Sequence, residues 1–205
     1  MRLNLKTILE TLRDMRNYIF PVQKITSKFR SINSIEDLKD FIQQRSAHVT
    51  QTTLYGYLKT RIGSRYALMF EDEEYLKSIN IAKWNIYIAS IADCTLYVFS
   101  YLKDLKNFDE NGQAQTVFTN ILDEERTNGL DNKILSKAKE EFDLRLKTIS
   151  WNDYYKNKPF FNSCEALYKW APIADELKIL DKEIVLNSIS LKWNIVENEF
   201  KELTN

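Results

Sequence analysis

Glycine and proline are scarce: four Gly and three Pro among 205 residues. Sheets and their hairpins consume both, whereas long helices avoid them, so the shortage points to an all-α chain. Cysteine is almost as rare, with Cys94 and Cys164 alone and seventy residues apart. That spacing supplies neither a disulfide framework nor a metal motif, and two buried free thiols are the expectation. Histidine occurs once, at His48. A zinc or non-haem iron site would lack its nitrogen and sulfur donors; a carboxylate-only Mg²⁺ or Ca²⁺ site stays open, though no EF-hand spacing is present, and no metal or cofactor is assigned. Long apolar runs are missing too. The opening residues carry Arg13 and Arg16 where a secretory core would lie, and Asp93 interrupts the most apolar stretch, residues 84–102. The latter reads as a buried core helix, not a span. A cytoplasmic protein is expected, with peripheral attachment to the inner membrane as the alternative.

What is present is charge, unevenly spread. Lys and Arg balance Asp and Glu at 29 each. From Met1 to Tyr66, however, twelve basic residues face five acidic ones, a net of +7. From Ala67 to Arg126, five face eleven, a net of −6. Two readings stay open: the basic third packs beside the acidic middle inside one fold, or it meets an acidic partner or membrane surface.

Periodicity places the helices. Leu5, Ile8, Leu9, Leu12, Met15 and Ile19 recur at three- and four-residue steps, with Arg2, Lys6, Arg13 and Arg16 off the stripe. This predicts a basic amphipathic helix over residues 1–20 that docks on its own protein, on a partner, or on a membrane surface. Pro21 ends it, and residues 21–33 read as a linker. Ser34 with Asp37 forms a capping box for a helix running to Ile62, with Gly63 as its stop. Asp72, Glu73 and Glu74 open a second long helix to about Asp104. Further helices are expected near 113–127 and 132–149, from Asn162 to Trp170, and over 181–203. The last carries Ile189, Trp193, Val196, Phe200 and Leu203 at steps of four, three, four and three, a narrow seam for the core or for a second copy. The whole reads as one bundle of six to eight helices over residues 34–205. Residues 72–87 and 181–196 share Lys-Trp-Asn-Ile and an acidic start, but nothing outside the windows aligns, so coincidence is preferred to duplication.

The richest stretch is LYGYLKTRIGSRY, residues 54–66. Gly56 and Gly63 lie two helical turns apart, which predicts close helix packing on that side. Tyr57, Lys59, Arg61 and Arg65 are the candidate residues for gripping an anion or an acidic partner, since guanidinium forks match phosphate and carboxylate geometry. The alternative is that the arginines pair with Glu71 to Glu74. The stretch is neither a P-loop nor an RNA-recognition motif. Ser64 lacks the G-x-S-x-G elbow, and no catalytic residue is assigned.

The residues TLYGYLKTRIGSRY, MFED at 69–72 and SINIAKWNIY at 78–87 resemble small helical bacterial proteins of unassigned function. Some members carry an esterase label whose motif this sequence lacks. The resemblance implies a helical fold and a bacterial setting, and adds no mechanism. Expected function is therefore a non-enzymatic adaptor or assembly protein acting through the basic N-terminal third. The alternative is an esterase-like hydrolase with a pocket beside residues 48–65. Zero net charge argues against nucleic acid as the partner.

Overall fold

The computed structural model describes residues 29–108, 110 and 112–204, among which every regular element is helical. Among these residues are six α-helices: α1 (Ile35–Ile62), α2 (Glu73–Lys106), α3 (Gln113–Glu125), α4 (Asn132–Leu146), α5 (Phe161–Trp170) and α6 (Asp175–Leu203). Short 3-10 segments join some of them, at Gly63–Glu71, Arg126–Asn128 and Tyr154–Lys156. The expected N-terminal helix, with Arg2, Lys6, Arg13 and Arg16, lies outside the described residues.

Local chemistry sets the ends. The Ser34 hydroxyl accepts the Asp37 N–H at 3.1 Å, while the Asp37 carboxylate accepts the Asn33 N–H at 3.0 Å. This reciprocal cap starts α1 where its sequence signature lies. Gly63, at φ 61°, stops it. The Asp72 carboxylate accepts the N–H groups of Glu74 and Tyr75, so the acidic triplet serves a helix start. Asn107, in the left-handed region, ends α2.

α2 is the axis of the bundle. Every residue from Ser90 to Leu102 is buried, which requires neighbours on all sides of the helix. α1, α3 and α5 supply them, together with the 3-10 segments at 63–71 and 154–156. α6 closes the bundle against α1 and α5. Rings bind these layers: Phe118 stacks on Phe142 at 3.9 Å between α3 and α4, and Phe160 stacks on Trp193 at 4.1 Å. Phe200 touches the rings of Phe41, Tyr97 and Tyr101.

Three boundaries differ from expectation. α6 begins at Asp175, six residues before the expected start, because Asp175 and Glu176 supply acidic side chains to its first turn soon after Pro172. α4 ends at Leu146, short of 149. The end of the expected linker is packed: Phe29 meets Phe41 edge-on at 5.5 Å, and the Ile32 N–H donates to the Leu203 carbonyl at 3.3 Å. The seam of Ile189, Trp193, Val196 and Phe200 is buried in the chain's own core, which removes it as an interface for a second copy. The two similar windows are not equivalent either. Asp72 caps α2 whereas Asp181 lies within α6, and Ile86 is buried where Ile195 is exposed.

Candidate functional site

α1 and α6 leave an open groove of about 480 Å3 between them. Thr52, Gly56 and Thr60 form one wall at four-residue steps, and Ile184, Val185 and Ser188 belong to the other. The hydroxyls are already used. Thr52 donates to the His48 carbonyl at 2.8 Å, Thr60 to the Gly56 carbonyl at 2.9 Å, and Ser188 to the Val185 carbonyl at 2.8 Å. Small side chains with internally bonded hydroxyls make a lining suited to close apolar contact.

One end of the groove is ionic. Asp181, buried, accepts the Tyr57 hydroxyl at 2.9 Å and is gripped through both oxygens by the Arg61 guanidinium. Burial raises the Tyr57 phenol above its usual pKa, so it stays protonated and donates. The expected group of four cations and donors is thus divided. Tyr57 and Arg61, four residues apart on one stripe, converge on Asp181. Lys59 points around the helix from them, and Arg65 lies past Gly63 in the 3-10 segment; both are exposed and without an ion pair among the described residues. Pairing of the arginines with Glu71 to Glu74 does not occur among the described residues; Arg61 instead reaches across to α6.

The glycines also differ from expectation. Among the described residues, no atom outside the helix's own backbone lies within 4 Å of where a Cβ at Gly56 would sit, so the predicted close helix packing is absent there. Gly56 instead keeps the groove open. Gly63 likewise has no such neighbour among the described residues, and its positive φ is what calls for glycine.

Beside the groove, α6 carries a second apolar stripe. Leu177, Leu180, Ile184, Leu191 and Ile195 are exposed, with Leu180 and Ile184 at 75% and 71%. They recur at helical spacing on the side turned from the core, apart from the buried seam. No described residue covers this row of large apolar side chains.

Two buried polar clusters hold the bundle together. Asp93, fully buried on α2, accepts Arg145 Nη2 at 2.6 Å, the Ser163 N–H at 2.7 Å and the Asn162 amide at 3.2 Å. Burial raises its carboxyl pKa, opposed by the Arg145 charge and these hydrogen bonds. Glu125 accepts the Tyr87 hydroxyl at 2.9 Å, the Gln43 amide at 2.9 Å and the Asn128 amide at 2.7 Å. Nearby Lys83 is lowered to about 8 by burial, with Glu125 opposing the shift. A buried lysine of that kind also occurs at catalytic sites, but Lys83 does not line the α1/α6 groove.

Nucleophiles fit this picture poorly. Burial pushes the Cys94 thiol well above the usual range and the Cys164 thiol up to about 12, leaving both protonated at neutral pH. Neither His48 nor Ser64 lines the α1/α6 groove.

The basic third is partly neutralised inside the fold. Lys39 pairs with Glu124 at 2.7 Å, and Arg45 with Glu199 at 2.5 Å. No helix among the described residues is long and apolar enough to cross a membrane. Compared with known proteins, the chain matches no family model, no curated protein and no solved structure.

Sequence reasoning missed Asp181, the ion that joins Tyr57 to Arg61. It lies 120 residues from Arg61, and no local pattern marks it. The exposed stripe of α6 was legible as leucines and isoleucines, but the buried seam beside it drew the stronger periodicity.

Proposed function

We propose that the protein is a non-enzymatic helical adaptor or assembly protein, with the α1/α6 face as its docking surface. The observation that carries this reading is the exposed row from Leu177 to Ile195 beside an open groove walled by small side chains. A face of that shape takes an amphipathic helix, whose apolar residues cover the row while its backbone approaches Gly56. The basic N-terminal third then directs the assembly to an acidic protein or a membrane surface, with Lys59 and Arg65 as exposed cations. Kinship with small helical bacterial proteins, and a cytoplasmic setting at the inner membrane, belong to the same proposal.

The test is isolation of the full chain with native membranes retained, followed by mass spectrometry of what stays bound. The same isolation is repeated with Ile184→Glu and Leu191→Glu combined, at positions exposed enough to leave the core intact. Retention of a protein or of membrane by the native chain, lost in the variant, is the expected result. Equal retention by both chains, or none by either, overturns the reading. A hydrolase would instead turn over ester or phosphoester substrates and lose that activity in His48→Ala and Arg61→Ala.

A further inference from the structure

The α6 stripe has a spacing that recurs elsewhere in the chain. Leu177, Leu180, Ile184 and Leu191 follow at intervals of three, four and seven residues. Leu5, Ile8, Leu12 and Ile19 follow at the same intervals. Two helices with matching heptad intervals can lie side by side with their apolar residues level.

Charge favours this pairing over a second copy of α6. Within α6, seven acidic residues face four lysines, a net of −3. Residues 1–28 carry six basic and two acidic residues, a net of +4. Two copies of α6 would bring like charge together, whereas the N-terminal segment brings the opposite sign. In the aligned register, Glu183 flanks the stripe next to Arg16 one heptad position on, the standard place for an interhelical ion pair.

Reach is sufficient. The described chain enters at Ile32, bonded to the Leu203 carbonyl at the C-terminal end of α6, with Phe29 packed on Phe41. Nine residues, 20–28, span up to about 30 Å when extended. Leu191 is twelve residues from Leu203, about 18 Å along the helix. Ile19 can therefore stand level with Leu191.

From these observations we infer that the N-terminal segment, residues 3–19, docks in cis along the exposed stripe of α6, parallel to it, with Leu12 level with Ile184. The inference rests on the reading of this face as a docking surface and names its resting occupant. A partner helix then competes with the segment for the exposed stripe of α6, so that partner binding displaces the segment.

The test uses the full chain carrying Leu12→Cys and Ile184→Cys, oxidised at low protein concentration, with Arg13→Cys and Ile184→Cys as the off-face control. The native thiols are buried or half-buried in the core. A disulfide within one chain, formed faster in the first pair than in the control, is the expected result. A disulfide found only between chains makes a second copy the occupant and overturns the inference, as does absence of a disulfide. Adding Arg16→Glu should slow closure roughly twofold, and Glu183→Arg on top of it should restore the rate; unchanged rates overturn the proposed register. If the cross-link fails while Ile184→Glu with Leu191→Glu still abolishes retention, the docking surface stands and only its cis occupant falls. If the cross-link forms and retention is unaffected, the adaptor reading falls alone.

Discussion

At position 93 a carboxylate sits in the middle of the most buried stretch of the chain, and its neighbours explain how it is tolerated. Arg145, Asn162 and the Ser163 N–H all donate to it, so the charge is paired and hydrogen-bonded where it would otherwise be costly to bury. Asp93→Asn removes the charge and leaves the Arg145 guanidinium without its partner. Stability should fall by about 3–5 kcal/mol in urea unfolding, with part of the loss recovered by adding Arg145→Met. His48 shows the opposite economy. Burial, then the Arg45 and Lys192 charges, lowers its pKa below the usual 6.5, and its Nδ1 has no hydrogen-bond partner among the described residues. The folded chain therefore binds this proton less readily than the unfolded chain. The stability associated with neutral His48 is present above 6.5 and is lost as pH falls through 6.5 towards the lowered folded value. Unfolding at pH 7 and pH 5 should show a smaller pH-dependent loss for His48→Gln than for the native chain.

Among the elements, α2 depends on its first turn. Asp72 satisfies two backbone N–H groups that the helix cannot pair itself, and Glu73 and Glu74 lie where the helix dipole favours negative charge. Asp72→Ala should cost about 1 kcal/mol, measured as a shift of the urea midpoint without a change in slope. α6 depends on its buried edge instead. Trp193 is buried face to face against Phe160. Trp193→Ala opens a large cavity there and should cost about 3–5 kcal/mol. Ile184→Glu, on the opposite side of the same helix, should cost no more than about 1 kcal/mol, the share of a docked segment, since nothing among the described residues covers that side chain. The contrast separates the two stripes experimentally.

For the molecule as a whole, one hydrophobic cluster runs from Leu38 to Phe200 and includes buried residues of all six helices. Asp93 ties α2 to α4 and α5, Glu125 ties α3 to α1 and α2, and Asp181 ties α6 to α1. Each of the six described helices buries side chains in this cluster, so the bundle should unfold as a unit. Tryptophan fluorescence and far-UV circular dichroism should trace the same urea transition. Two separated transitions would show that α6 or the α3–α4 pair comes away independently.

The residues themselves determined the helices, because the signals are local: the Ser34 and Asp72 caps, the stop at Gly63, and apolar repeats of three and four. A hydrogen bond between neighbours in sequence does not need the rest of the chain to define it. The site was legible only in half. Tyr57 and Arg61 stand out in a Gly- and Tyr-rich basic stretch, and four-residue spacing puts them on one face. That they close on Asp181, that Gly56 opens a groove without meeting a neighbour, and that one stripe of α6 is buried while another faces out were decided by packing. Both stripes have helical periodicity, and only the position of α6 against α1 and α5 selects which one is covered.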